Sequence, residues 1–233
     1  DKDTSLTNLA RLIAQFSLQE QMTLKPLIEM YYHCRGWEYT EDEQQQFTTR
    51  LEKVWQKRKS QYLKKCFRPC TMTFYQQNFR WQVAAKREFW KQIQIQSVDD
   101  IEALFSDAQI LKAGNTATVI RTQMGSHDVV IKRYNIKSLG HALSRCWRPS
   151  RAAISWRNAN LLMFIGIPTT MPLAFIEQRF GPLRRIAYFI SEYREAEELL
   201  DVYQQRMPIE SEVHQIQDIF AGLEIAQLGH GDM

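Results

Sequence analysis

Three groups of residues have the types and spacing for phosphoryl transfer, which needs a cradle for phosphates, a fixed cation and a carboxylate beside the acceptor hydroxyl. The cradle is the turn in "KAGNTATV", where Lys112, Gly114 and Ala117 stand at the places a phosphate-binding loop fills with glycine. Small residues there let backbone N–H groups approach phosphate oxygens. The cation is Lys132 in "VVIKRYN", whose strand-forming neighbours Val130 and Ile131 put it on the face opposite Ile131. The carboxylate is Asp232 in the terminal "GHGDM", a base to accept a hydroxyl proton, with His230 packed beneath its loop to hold the loop's shape. Gly231 between them, where protein kinases carry Arg, leans toward a small-molecule or sugar acceptor.

Positioning these groups falls to elements that the pattern predicts. "AQILKAGNTATVIRTQMGSHDVVIKRYN" alternates β-branched and polar residues about Met124-Gly125-Ser126, and reads as an antiparallel strand pair. A helix capped by Ser150 should end near Gly166, ahead of Pro168. "TTMPLAFIEQRFGPLRRIAYFISEY" supplies two more strands with a Gly-Pro turn. A last helix should bury Val213, Ile216, Ile219, Phe220, Leu223 and Leu228.

Residues 1–100 read as a mostly helical, basic and aromatic region, and residues 101–233 as the domain carrying the chemistry. Leu6, Leu9, Leu12, Ile13 and Phe16 should form one buried stripe, and Phe47, Leu51, Val54, Tyr62 and Leu63 another. Thr40 with Glu43 approximates a capping box, Ser97 caps a short helix, and "TMTFYQQNFRWQV" is a strand or hairpin arm. The fold class is α+β.

The chain has 233 residues, 44% hydrophobic, with a formal charge of +4, which is ordinary for a globular protein. The charge is uneven. Basic residues from Lys53 to Lys91 face Glu88 alone, Lys132 to Arg157 contains no acid, and acids accumulate from Glu192 onward. Part of the surface therefore suits an anion. Cys34, Cys66, Cys70 and Cys146 form no disulfide framework and no tight zinc knuckle, so no metal ligand set is assigned. No stretch reaches the roughly 18 to 20 apolar residues that span a bilayer.

Taken together, "VVIKRYNIKS", "SRAAISWRNANLLMFIGIPTTMPLAFIEQR" and "GHGD" resemble the lipopolysaccharide core kinase family, the bacterial Kdo and heptose kinases, over roughly Asp107 to Met233. The resemblance implies a protein-kinase-like fold, here the N-lobe and the start of a helical C-lobe. It implies ATP and Mg²⁺ as cofactors, and phosphorylation of an inner-core sugar on a lipid-linked glycan at the cytoplasmic side of the inner membrane. Lys132 would contact ATP phosphates, Asp232 would be the base, and the backbone at Glu192 and Tyr193 would be the adenine hinge.

Two departures stand out. The family's helix carries a Glu before its Trp, whereas here Ser155 precedes Trp156 and Pro149–Gly166 contains no acid. The family's metal-binding Asn and Asp would fall beyond Met233, so the chain is expected to be a fragment or part of a longer protein. Two other readings compete: a pseudokinase scaffold, and a nucleic-acid module on residues 50–92, the disfavoured one. The basic aromatic region reads first as a helical extension whose aromatics pack on the kinase lobe; peripheral contact with the inner membrane surface is the second reading.

Overall fold

The computed structural model describes residues 1–135 and 148–225. In chain order the helices and strands are α1 (Lys2–Ile13), α2 (Leu18–Thr23), α3 (Lys25–Cys34), α4 (Glu41–Lys65), β1 (Thr73–Gln77), β2 (Trp81–Lys86), α5 (Arg87–Gln92), α6 (Val98–Ala103), β3 (Gln109–Ala113), β4 (Ala117–Met124), β5 (His127–Tyr134), α7 (Arg151–Ile165), β6 (Pro172–Phe180), β7 (Leu183–Glu192), α8 (Leu199–Gln205) and α9 (Glu210–Ile225). The chain divides into two compact units. One comprises Asp1–Tyr62, Leu162–Pro168 and the chain from Ala196; the other comprises Leu63–Leu161 and Thr169–Glu195.

The first unit is helical. Asp1 caps α1, and Ser17 with Glu20 forms a full capping box on α2. Its core joins Leu6, Leu9, Ala10 and Ile13 of α1 to Ile28 and Tyr32 of α3 and Phe47 of α4. The stripe on α1 differs from the expected one: Leu12 is 50% and Phe16 41% exposed, while Ala10 is fully buried. The helical period selects positions 6, 9, 10 and 13, and Leu12 falls outside that arc. Thr40 accepts the N–H of Glu43, but the Glu43 carboxylate goes to Lys2 and Tyr32 instead of completing a box. The last helix also departs from expectation. Val213 and Phe220 of α9 are exposed, whereas Gly222 is buried against Ile167. Leu228 lies outside the described residues.

The second unit is built on a seven-stranded antiparallel sheet in the order β1-β2-β6-β7-β5-β4-β3. The expected strand pair before Asn135 is three strands, because the "KAGNTATV" turn closes a further hairpin between β3 and β4. "TMTFYQQNFRWQV" forms a complete hairpin, β1 with β2, whose turn is held by Asn78 Oδ1 accepting the N–H groups of Arg80 and Trp81. β2 then pairs with β6, so this hairpin extends the same sheet.

Each face of the sheet has its own cover. On one, Val83, Ile120, Val129, Ile131, Ile176 and Ile190 pack beneath Phe89 of α5 and Val98 and Ile101 of α6. Ser97 and Asp100 cap α6 reciprocally. Glu102 of α6 binds Arg133 at 2.7 Å and accepts the Tyr188 hydroxyl. On the other face, Trp156 of α7 is fully buried and donates its indole N–H to the carbonyl of Cys66 at 3.0 Å. Ser150 caps α7 as expected, and Gly166, at φ +83°, ends it.

Candidate functional site

The alternation of β5 selects the face on which chemistry can occur. Val129 and Ile131 point into the core at 0% exposure, which turns Val130, Lys132 and Tyr134 to the opposite face, where all three are half-buried. Directly paired residues on neighbouring antiparallel strands share a face. Lys112, Val119, Lys132 and Phe189 therefore form one row across β3, β4, β5 and β7. The structure brings Lys112 and Lys132 onto one face at one level, with Val119 between them. A bulge between Ile110 and Lys112 sets this register.

The turn before β4 is tight. Gly114 donates its N–H to the carbonyl of Ala117 at 3.0 Å, and Asn135 at the end of β5 donates to the carbonyl of Thr116 at 3.1 Å. A Cβ on Gly114 would lie 3.1 Å from the Ala117 oxygen, closer than ordinary packing allows. Glycine there lets the hairpin close this tightly without pushing its own backbone aside.

Ser155, where an acid was expected, turns out to have a partner. Its hydroxyl lies 2.8 Å from the Tyr134 hydroxyl, and the Lys132 ammonium sits 5.3 Å from the centroid of the Tyr134 ring. Among the described residues no carboxylate pairs with Lys132. An aromatic face attracts the ammonium by its quadrupole but supplies no acceptor, so the donors of Lys132 stay available to an anion.

The far end of the same face is closed by charge and stacking. Arg121 and Asp128 form an ion pair at 2.7 Å, and the Arg121 guanidinium lies 3.7 Å from the centre of the Tyr193 ring. Hydrogen bonding to Arg121 holds the Asp128 carboxyl below its ordinary range. Glu192 donates its N–H to the carbonyl of Met171, and Tyr193 donates to that of Asp128, both at 2.9 Å. These two expected hinge N–H groups are thus bonded within the sheet. His230 and Asp232 lie outside the described residues.

Sequence reasoning did not single out Val119 and Val130, the apolar pair that flanks Lys132 on this face, or Tyr134. Period-two counting from Lys132 would have marked Val130 and Tyr134, and cross-strand pairing marks Val119. Two lysines on one face, beside a close-approach turn and two half-buried valines, offer positive charge next to an apolar surface. Among the described residues no three His, Cys, Asp or Glu side chains cluster to hold a metal ion.

Several residues of the long basic stretch have internal partners. Arg58 donates to the carbonyl of Ala14, Arg87 to those of Cys70 and Thr73, and Lys91 pairs with Glu88. Lys86 donates to Asn160 at 3.0 Å, and burial holds its ammonium below the usual lysine range. No helix among the described residues is long and apolar enough to cross a membrane. No protein-family model, curated protein or solved structure matches the chain.

Proposed function

We propose that this chain binds ATP on the Lys132 face of its sheet and belongs to a phosphotransferase acting on a hydroxyl of a lipid-linked glycan. The observation that carries the reading is topological. Strands β3, β4 and β5, then helix α7, then β6 and β7 follow one another along the chain, and they lie in space as β3-β4-β5-β7-β6. A protein-kinase-like small lobe has its strands and helix in this same order, and that agreement supports the reading. Its phosphate-contacting lysine belongs on the third strand, the place of Lys132, on the face that α7 covers. The expected adenine hinge shifts by a residue or two: with the N–H groups of Glu192 and Tyr193 engaged, the donor to adenine comes from Arg194 or Glu195.

Asp232 as base, His230 as support for its loop, and a lipopolysaccharide inner-core sugar as acceptor rest on the likeness of "GHGD" and the α7 block to the core kinases. So do Mg²⁺ and a place at the cytoplasmic face of the inner membrane. The direct test is MgATP-dependent labelling of core glycan by the full protein, with Asp232→Ala and Lys132→Ala as controls. Transfer lost in both variants supports the reading. A folded protein that binds ATP and labels none of several glycan acceptors would overturn it and leave the second reading, a nucleotide-binding scaffold. The Tyr134–Ser155 pair, standing where an acid would orient Lys132, favours that alternative.

A further inference from the structure

Where α7 meets the sheet, at the row that runs Tyr134, Ala187, Glu177 and Gln82 beside the Lys132 row, the second unit contains a cavity of about 400 Å³. Its charged lining is Arg157 of α7, Glu177 of β6 and Arg184 of β7. Glu177 is 1% exposed, and its Oε1 atom has no hydrogen-bond partner. Two guanidiniums approach that oxygen, Arg184 Nε at 3.3 Å and Arg179 Nε at 3.6 Å, and both of these buried N–H groups are also without hydrogen-bond partners. The contacts are ionic without being hydrogen bonds. Buried polar atoms are ordinarily satisfied; two of these three, on Glu177 and Arg184, belong to residues that line the cavity, and they point to a ligand that satisfies them.

The chemistry of that ligand follows from the donor set. Two guanidiniums line the cavity against one carboxylate, and Arg179 also lies against that carboxylate, so the cavity carries surplus positive charge and takes an anion. A carboxylate ligand accepts only, and would face Glu177 Oε1 with no donor. A phosphate monoester, with its second ionisation near pH ~6, can keep one O–H for Glu177 while its other oxygens accept from the arginine forks. Phe67, Pro149, Ala153 and Ile154 form the apolar wall. A volume of this size lies within the usual range for small-molecule sites. We propose that this cavity is a binding site for a phosphate monoester carried on an apolar body, lined by other residues than the Lys112–Lys132 row.

The test is calorimetric titration of the whole chain with phenyl phosphate, inorganic phosphate and benzoate. Two variants remove the site without touching the core: Arg157→Ala deletes an exposed guanidinium, and Ile154→Glu sets a negative charge at a wall residue that is 44% exposed. Phenyl phosphate should bind more tightly than either other probe, and each variant should weaken it about tenfold or more, the effect of one charge-assisted hydrogen bond. Lys132→Ala should leave it unchanged. Absence of binding, binding that survives both variants, benzoate binding equally well, or loss only in Lys132→Ala would each overturn the proposal. A parallel arm compares retention on phosphatidic acid and phosphatidylcholine vesicles. Retention on phosphatidic acid that both variants abolish assigns the monoester to a lipid headgroup, and phenyl phosphate binding without retention assigns it to a soluble compound.

Discussion

Single side chains on the Lys132 face carry separable energies. Tyr134 does two things at once: its ring lies beside the Lys132 ammonium, and its hydroxyl bonds Ser155 of α7. Tyr134→Phe keeps the ring and loses the bond, so stability by urea denaturation should fall by about 1 kcal/mol while ATP affinity is retained. Tyr134→Ala should lower both. A Phe variant as stable as the parent would mean that the hydroxyl pair contributes nothing. The cysteines offer a second contrast. Burial pushes the Cys66 thiol up to about 11. Burial acts upward on Cys70 as well, but hydrogen bonds from Thr73 and from the Met72 backbone outweigh it and bring the thiol below its ordinary value. Thiolate is the reactive form, so iodoacetamide at neutral pH should label Cys70 ahead of Cys66, read by peptide mass mapping. The side of the strand that Lys132 occupies was legible in the sequence, because strand alternation is local. Ser155 in place of an acid was legible too, but its bond to Tyr134 was not, since that depends on where α7 packs.

At the scale of elements, the sequence announced those whose signals are local and misjudged those set by packing. Ser97, Ser150 and Gly166 marked helix ends correctly because a cap needs only its own turn. The apolar faces of α1 and α9 were misjudged at Leu12, Val213 and Phe220, where burial depends on which neighbour arrives. The β4–β5 turn combines both kinds of cause. Gly125 was legible as a turn residue, and it adopts φ +61°. A Cβ there would also lie 2.8 Å from the carbonyl oxygen of Gln92, a contact no local rule contains. Gly125→Ala should therefore destabilise by about 2 kcal/mol or more, measured by chemical denaturation. A smaller loss would mean that the hairpin shifts to relieve both strains. The junction of α8 and α9 makes a pH-dependent prediction. The Arg206 side chain, followed by the N–H of Ile209, holds the Glu212 carboxyl down to about 2. A depressed carboxyl lends stability above its unfolded value, so this contribution is complete above 4.5 and is lost as pH falls from there through about 2. Arg206→Ala should flatten the fall of the thermal midpoint across that window.

For the whole molecule, the decisive arrangement is one sheet covered differently on its two faces. An α+β class was legible from composition and periodicity. The joining of β1 and β2 to β6 was not, because the pairing of Trp81 with Gln178 spans a long stretch of chain and leaves no local trace. That pairing widens the sheet, and the wider sheet lets α7 meet Gln82 and Glu177 as well as Tyr134. The two faces should separate stability from binding. Ile131 and Trp156 are both at 0% exposure, Ile131 beneath α6 on one face and Trp156 in α7 on the other. Ile131→Ala and Trp156→Ala should each cost about 2–5 kcal/mol in chemical denaturation, since each leaves a cavity in a packed layer. Ligand binding should not follow stability. Ile131 adjoins Lys132 in sequence yet points away from it, so its loss should spare nucleotide affinity at temperatures where the variant stays folded. Trp156 anchors the helix that presents both Ser155 and Arg157, so its loss should weaken ATP and phenyl phosphate together. Equal effects of the two variants on binding would mean that the sheet transmits packing defects across its thickness, and that the faces do not act as separate layers.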